Sequence, residues 1–326
     1  MILRQGHIAC DPRDASDMGA LDQIMLSDAG GLTQIGVYLE TLHPGAQSSD
    51  RHWHEAEDEL LYVLSGEITV TDNHGPHLLT AGDAVAWPHG APNAHHVKNL
   101  RARPASYLIL GSRVARDICH YPDTGRRQVN LDSAWQVEDS GGKILRSGDL
   151  PPELLKLPAV WGTPYDGNDA SRILRAADRK WVSDGPQTHP ALGETLGPYA
   201  HCILGTPGGL SQFGMHLERL PPGSQSSFRH WHEAEDEMVY VLSGHPTLIE
   251  DTRSILAPGD AAVWPAGRAV GHCLRNDTAE DTTYLTIGTR LADDRIHYPD
   301  HDLITHKNGL ARRYTHGDGT DYRRKT

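Results

Sequence analysis

The chain has 326 residues and a formal net charge of −13, and 38% of its residues are hydrophobic. This length accommodates two domains of ordinary size, and an acidic chain is repelled by phosphate backbones and anionic membranes, so we expect neither nucleic acid nor membrane as a partner. The four cysteines form no Cys-x-x-Cys pair, and the sequence contains no apolar leader and no apolar run of membrane-spanning length. We therefore expect a cytoplasmic protein.

Short apolar segments punctuated by glycine and proline predict many strands rather than long helices. In the first half the strand-like segments are IGVYLETL, ELLYVLSG, EITVTD and DAVAWP, with turn-like LSGE, DNHG and TAGD between them. Short strands joined by tight turns favour an antiparallel sandwich or barrel. The segment from about 124 to 177 is predicted to be a tail and linker, in which DASRILRAADRKW is a candidate short helix.

The two halves of the chain are copies of one another. Residues 30–66 align without a gap with residues 208–244, AGDAVAWPHGAPNAHHVKN aligns with PGDAAVWPAGRAVGHCLRN, and HYPD at 120–123 returns at 297–300. A repeat of this length is a whole domain rather than a solenoid unit. We predict a first domain with its tail at 1–145, a linker at 146–177, and a second domain with its tail at 178–326.

The stretch RHWHEAEDE occurs letter for letter at 51–59 and at 229–237. His52 and His54 are two residues apart, so on a strand both imidazoles point to the same face. If residues 60–66 pair back against this strand, Glu59 reaches the same pocket, and His95 from a later segment completes the group. Three imidazoles and one carboxylate suit a borderline divalent metal such as Mn, Fe, Co, Ni or Zn.

These residues resemble the two motifs of the cupin family. The first motif, His-x-His, four residues, Glu, six residues, Gly, fits His52, His54, Glu59 and Gly66, and again His230, His232, Glu237 and Gly244. The second fits Gly82, Pro88, Gly90, His95 and Asn99, and again Gly259, Pro265, Gly267, His272 and Asn276. The gap before His95 is longer than the usual pattern, but the second copy has the same gap before His272. Because His96 aligns with Cys273, His95 is the better ligand candidate.

The resemblance to a bicupin implies an all-β fold of two tandem cupin barrels, each a double-stranded β-helix or jelly roll. It also implies one divalent transition metal per domain. The implied ligands are His52, His54, Glu59 and His95 in the first domain, and His230, His232, Glu237 and His272 in the second.

The function favoured by this resemblance is a metal-dependent, dioxygenase-like enzyme. Four protein ligands leave two positions for substrate on a six-coordinate metal, and the residual positive charge favours a small anionic or enolisable metabolite that binds the metal directly. Two alternatives stay open: an isomerase, lyase or decarboxylase that consumes no oxygen, and a non-catalytic metallocupin that binds a small ligand. No general base can be named from the sequence, and the charge leaves room for a homo-oligomer.

Four further residues are candidates for contacts with the substrate. Trp87 and Trp264 precede the turn prolines and could line the pocket wall, although tryptophans of a barrel core explain the pattern more simply. Gln47 and Gln225 lie near the entrance of the His-x-His strand and could face the mouth of the barrel.

Overall fold

The computed structural model describes residues 1–15, 17–131, 133–158, 160–165, 167–184, 188–194 and 196–322. It confirms the all-β prediction, with two barrels of the same topology. Within the described ranges, no helix is long and apolar enough to cross a membrane.

The strands of the first half are short and mostly joined by tight turns. They are β1 (Ile2–Leu3), β2 (Asp11–Ala15), β3 (Gly19–Met25), β4 (Ile35–Leu42), β5 (Trp53–His54), β6 (Glu59–Ser65), β7 (Glu67–Asp72), β8 (Gly75–Thr80), β9 (Ala84–Trp87), β10 (His96–Lys98), β11 (Ala105–Ser112), β12 (Asp117–Tyr121), β13 (Arg126–Leu131), β14 (Ala134–Glu138) and β15 (Ile144–Asp149). One short α-helix, α1 (Leu26–Gly30), precedes β4, and a 3-10 turn (Leu154–Lys156) follows β15.

The second half repeats this order. Its strands are β16 (Ile173–Leu174), β17 (Val182–Asp184), β18 (Tyr199–Ile203), β19 (Phe213–Leu220), β20 (Trp231–His232), β21 (Glu237–Ser243), β22 (Thr247–Ile249), β23 (Arg253–Ile255), β24 (Ala261–Trp264), β25 (Cys273–Arg275), β26 (Thr282–Thr289), β27 (Asp293–Tyr298), β28 (Leu303–Asn308) and β29 (Ala311–Thr315). Two further 3-10 turns span Ala176–Asp178 and Pro299–His301.

Each barrel is built from a seven-stranded sheet and a three-stranded sheet. The first barrel has the orders β16-β9-β6-β11-β4-β3-β2 and β10-β7-β8, and the second has β1-β24-β21-β26-β19-β18-β17 and β23-β22-β25. The edge strands β1 and β16 are exchanged, because β1 pairs with β24 of the second half and β16 pairs with β9 of the first. The boundaries at 145 and 178 stay a prediction. β1 belongs to the predicted first domain but pairs with the second barrel, and β16 belongs to the predicted linker but pairs with the first barrel.

Successive residues of the long strands face two different hydrophobic cores, one inside each barrel and one between the barrels. Leu61 and Val63 point into the first barrel, whereas Leu60 and Tyr62 point to the other face of β6 and pack against residues of the second half. A matching cluster fills the second barrel. One apolar layer thus joins the barrels, as the two-residue period of a strand requires when both faces are buried.

The predicted tail contains regular structure. Residues 126–149 form β13, β14 and β15, which extend a five-stranded sheet β15-β14-β13-β12-β5. The candidate helix DASRILRAADRKW is wrong: the structure has β16 and one 3-10 turn there. The reason is tertiary, since Asp83 of the first barrel accepts the backbone N–H of Ala176 at 2.8 Å and binds Arg175 at 3.0 Å.

The motif glycines Gly66 and Gly244 end the strands that begin at the glutamates. Both have positive φ, 76° and 77°. A Cβ atom at Gly66 would lie 2.8 Å from the Ala105 side chain, and one at Gly244 would lie 2.5 Å from Thr282. Glycine is required here by both backbone conformation and space.

Candidate metal centres

Short strands and one bridge bring the predicted ligands of the first half together. His54 lies on β5 and Glu59 is the first residue of β6, while His52 and His95 face each other in an isolated β-bridge. The expected pairing of residues 60–66 with the His-x-His strand is wrong: β6 pairs with β9 and β11, and β5 pairs with β12. The five-stranded sheet β15-β14-β13-β12-β5, and not β6, therefore positions His54 near Glu59.

In the second barrel three imidazoles face one carboxylate oxygen. The distances to Glu237 Oε2 are 3.8 Å from His230 Nε2, 3.8 Å from His232 Nε2 and 2.8 Å from His272 Nε2. In the first barrel the distances to Glu59 Oε2 are 3.0 Å from His95 Nε2 and 4.0 Å from His54 Nε2. His52 completes this group, with candidate ligand atoms of His52, Glu59 and His95 within 4.8 Å of one another.

The other ring nitrogen of each imidazole is tied to an acceptor. In the first barrel the Nδ1 atoms bond to Asp50 O at 2.8 Å (His52), Asp117 Oδ2 at 2.6 Å (His54) and Asn93 O at 3.1 Å (His95). In the second they bond to Phe228 O at 2.9 Å (His230), Asp294 Oδ2 at 2.6 Å (His232) and Val270 O at 3.1 Å (His272). An acceptor at Nδ1 holds a proton there, so Nε2, which faces the carboxylate, is the atom that can bind a metal, as in metal-binding histidines.

Burial also sets the charge of these groups. It lowers the pKa of His52 to about 4 and that of His230 to about 4, so both imidazoles are neutral at neutral pH. Burial alone would raise the pKa of Glu237, but the neighbouring imidazoles of His272 and His230 outweigh it and hold that pKa below its ordinary value. Neutral His52 and His230 beside an ionised Glu237 are in the protonation states that a metal requires. Although burial opposes it, neighbouring acidic groups raise the pKa of His54 and of His232, so these two imidazoles release a proton when a metal binds.

One atom in the first group is left without a partner. Glu59 Oε2 is buried and makes no hydrogen bond within the described part of the chain. A buried carboxylate oxygen facing imidazole lone pairs is costly unless a cation lies between them. The residues present therefore fit a divalent metal at this place in each barrel.

A cavity opens beside each group of ligands. It measures about 230 Å³ in the first barrel and about 170 Å³ in the second. Both cavities are lined by aligned residues of the two copies, which in the first barrel include Glu40, Ser48, Ser49, His52, Glu59, Trp87, His95 and Tyr107. Their aligned counterparts in the second are Glu218, Ser226, Ser227, His230, Glu237, Trp264, His272 and Tyr284.

The predicted substrate contacts divide into two groups. Trp87 and Trp264 line the cavities and stack on His95 and His272, with ring centroids 3.6 Å apart in each pair. The structure does not bring the two glutamines into the cavities. Instead, the Gln47 amide donates to the carbonyl of Ser49, and the Gln225 amide donates to that of Ser227, each at 2.7 Å.

An acid and a tyrosine in each cavity were not among the predicted site residues. Tyr107 lies directly across the strand pair from Glu40, and Tyr284 lies directly across from Glu218. A signal was present: Glu40 interrupts the apolar segment IGVYLETL two residues before the buried Leu42, so it must share the inward face, and Glu218 has the same position in FGMHLERL. An acid at an inward position in both copies indicates a polar function inside the barrel.

The remaining acids of RHWHEAEDE have three different roles. Glu55 binds His120 at 2.7 Å near the surface, and Glu57 lies 3.7 Å from His54 Nδ1, beside Asp117. Asp58 is fully buried and accepts the backbone N–H groups of Ser211 and Gln212 from the other half of the chain, at 2.7 and 2.8 Å. The repeated motif thus serves both the metal site and the contact between barrels.

The two sites differ at one position close to the histidines. Cys119 Sγ lies within 4.8 Å of candidate ligand atoms of His52 and His54. The corresponding position across from His232 is Ile296. A thiol therefore adjoins the first group of ligands and an aliphatic side chain adjoins the second.

A sequence profile of the Cupin domain family matches the chain twice, at residues 38–111 and 216–288. The chain belongs to the cupin superfamily as a bicupin. The bicupin contains both predicted motifs at the matched places, and its cupin domains together with the His/Glu groups indicate that it binds a divalent metal.

This bicupin is similar to several known proteins, among them the following three. Quercetin 2,3-dioxygenase from Bacillus subtilis (strain 168) is 24% identical over 237 residues, which are 70% of this chain and 65% of that protein, so the match spans slightly less than two thirds of the relative's length. The oxalate decarboxylase of Lactobacillus farciminis, solved as a formate complex, is 16% identical, covers 98% of this chain and 88% of its own, and has a TM-score of 0.52. A sugar phosphate isomerase from Silicibacter pomeroyi is 33% identical over 44% of this chain and 92% of its own, with a TM-score of 0.40.

Proposed function

We propose that this bicupin is a metal-dependent enzyme of the dioxygenase type that acts on a small anionic or enolisable metabolite. The proposed metal ligands are His52, His54, Glu59 and His95 in the first barrel and His230, His232, Glu237 and His272 in the second. The observation that carries the proposal is the set of imidazole Nε2 atoms grouped around one carboxylate oxygen beside a cavity, present in both barrels.

The size of the cavities supports a small substrate. Volumes of about 170 and 230 Å³ correspond to roughly six and eight water molecules. A divalent metal with one carboxylate among its ligands retains positive charge, so a ligand with an oxyanion or an enolisable carbonyl is favoured over a neutral one. Trp87 and Trp264 cover one face of His95 and His272, which keeps water away from that side of each site.

The match to quercetin 2,3-dioxygenase supports a reaction that uses dioxygen. A metal bound by this set of ligands would act as a Lewis acid or as an electron conduit to dioxygen. The chain's own contribution is to hold each imidazole in one orientation through its Nδ1 acceptor, Asp117 for His54 and Asp294 for His232. Because the metal ligands are held in one orientation, the substrate has to adjust its own position to the metal site.

The test combines metal content with oxygen uptake. Protein purified without added metal is analysed by elemental mass spectrometry, and oxygen consumption is followed with a panel of catechols, keto acids and diketones. Bound iron and substrate-dependent oxygen loss support the proposal, and this loss must disappear in the double variant His54→Ala/His232→Ala but persist in Glu55→Gln. Bound zinc, manganese or nickel without oxygen loss would instead indicate an isomerase, lyase, decarboxylase or binding protein.

A further inference from the structure

The two cavities contain the same acid and tyrosine but use them differently. In the first barrel the pair is closed by hydrogen bonds within the protein. Tyr107 donates to Glu40 Oε2 at 2.7 Å, Gln23 donates to Glu40 Oε1 at 2.6 Å, and Arg13 donates in turn to the Gln23 amide oxygen. Both carboxylate oxygens of Glu40 are therefore occupied before any ligand arrives.

In the second barrel the corresponding residues, Glu218 and Tyr284, are not held by hydrogen bonds in this way. The Tyr284 hydroxyl is buried and makes no hydrogen bond of normal geometry to a described residue, but the side chains of Glu218 and Ser226 face it as its closest hydrogen-bonding groups. Tyr284 is 1% exposed, and leaving a buried hydroxyl unpaired costs about 1–3 kcal/mol unless a ligand completes it. Glu218 lines the same cavity as Glu237 and His272.

We propose that Glu218 and Tyr284 bind a hydroxyl group of the substrate in the second barrel and that Glu218 accepts its proton. This inference rests on the proposed function, because it assigns the general base of that same site. The O–H bond of the ligand breaks, the proton forms an O–H bond with Glu218, and the electron pair stays on the ligand oxygen. Tyr284 then donates a hydrogen bond to that oxygen.

The surroundings of Glu218 agree with a base that works near neutral pH. Burial raises the pKa of Glu218 to about 7, and the charge of Glu237 adds to this effect, while Tyr284 and Thr286 oppose it. On the same strand, His216 Nδ1 is 4.0 Å from Glu218 Oε1, and burial lowers the pKa of His216 to about 4. On the neighbouring strand β18, His201 lies directly across from Glu218. A carboxyl with such a pKa can both take and return a proton.

In the first barrel the corresponding carboxylate, Glu40, is not available to a ligand. Glu40 is held by two donors, and the position of Thr286 is taken by Ile109, which removes one hydroxyl from the wall. The inference therefore assigns the proton-transfer step to the second barrel although both barrels have a complete set of candidate metal ligands.

The test counts protons during binding of catechol to zinc-loaded protein without oxygen. Isothermal titration calorimetry in two buffers of different ionisation enthalpy gives the number released, at about pH 8, where a phenol is mostly protonated and a carboxyl is mostly ionised. We expect Glu218→Gln to release about one more proton per chain than the wild type, because the proton now goes to the buffer. The matched variant Glu40→Gln should give the wild-type count.

A second variant covers the case in which Glu218→Gln fails to fold or to load zinc. Tyr284→Phe should keep the zinc content and the wild-type proton count and bind catechol roughly five- to tenfold more weakly. The inference is overturned if Glu218→Gln releases no additional proton, if Glu40→Gln releases it instead, or if Tyr284→Phe binds catechol as the wild type does. If zinc-loaded wild-type protein does not bind catechol, this inference is overturned, whereas the proposed function is decided separately by oxygen uptake with the keto acids and diketones.

Discussion

Asp58 of the first barrel accepts the backbone N–H of Gln212 in the second at 2.8 Å, and Asp236 of the second accepts that of Gln34 in the first at 2.8 Å. The two contacts are reciprocal, and both aspartates are fully buried. Each aspartate directly precedes a candidate metal ligand, Glu59 or Glu237. The joint between the barrels is therefore adjacent in sequence to both metal sites.

Asp58→Ala should destabilise the folded chain strongly. The carboxylate accepts bonds from Ser211 N, Gln212 N, His89 N and His89 Nδ1, and its removal leaves these buried donors unpaired. We expect a loss of about 3–5 kcal/mol in the free energy of unfolding, measured by urea denaturation. Glu55→Ala, which removes a partly exposed acid of the same motif, should cost less than about 1 kcal/mol. Equal losses in the two variants would contradict the role of Asp58.

His54→Ala and His232→Ala should each empty one site only. Each variant removes one imidazole from one barrel, so metal content should fall from about two towards one per chain, as measured by elemental mass spectrometry. His120→Ala is the control, because His120 stacks on Trp53 with ring centroids 4.3 Å apart and is not a proposed ligand. A ligand variant that retained both metals would show the assignment to be wrong.

Asp117→Asn should weaken the first metal site without emptying the second. The Asp117 carboxylate accepts the His54 Nδ1 proton at 2.6 Å and also the Ala56 N–H at 2.8 Å. Loss of the carboxylate charge behind a ligating imidazole is expected to lower metal affinity about 10- to 100-fold. Competition with a chelator measures the affinity, and Asp294→Asn should have the same effect on the second site alone.

His52 and His230 should each lower the stability of the metal-free protein as the pH falls from about 6.5 to about 4, while the raised pKa of Glu218 acts in the opposite direction. Burial lowers the folded-state pKa of His52 and of His230 to about 4, so in this range the unfolded chain binds protons that the folded chain does not. Each histidine therefore contributes stability at neutral pH that disappears as the pH falls. We expect the acid-induced loss to be smaller in His230→Gln by on the order of 1–3 kcal/mol, measured by denaturation at several pH values. An unchanged pH dependence in this variant would contradict the buried, neutral state of His230.

The sequence predicted the fold because its signals are local and repeated. Strand-length apolar segments, turn residues and two copies of both motifs predicted two barrels, and the structure confirms them. Tyr62 follows Glu59 by three residues on β6, so strand alternation turns it to the opposite face, and it lies in the apolar layer between the barrels.

Strand partners were harder to predict than strands. β5 has only two residues, Trp53 and His54, and such a short strand has no intrinsic preference among neighbours. Its partner is β12, more than sixty residues later in the chain. The exchanged strands β1 and β16 are equally short, and only packing against the opposite barrel fixes their position.

The sequence by itself determined which residues can bind a metal, because a histidine or glutamate at a repeated spacing is a chemical fact that needs no coordinates. Only the tertiary structure decided how each acid is used. Asp58 joins the barrels, Glu40 is closed by Tyr107 and Gln23, and Glu218 faces an open cavity. The physical reason is that burial and hydrogen-bond partners, not residue type, set the role of a carboxylate, and these partners come from distant parts of the chain.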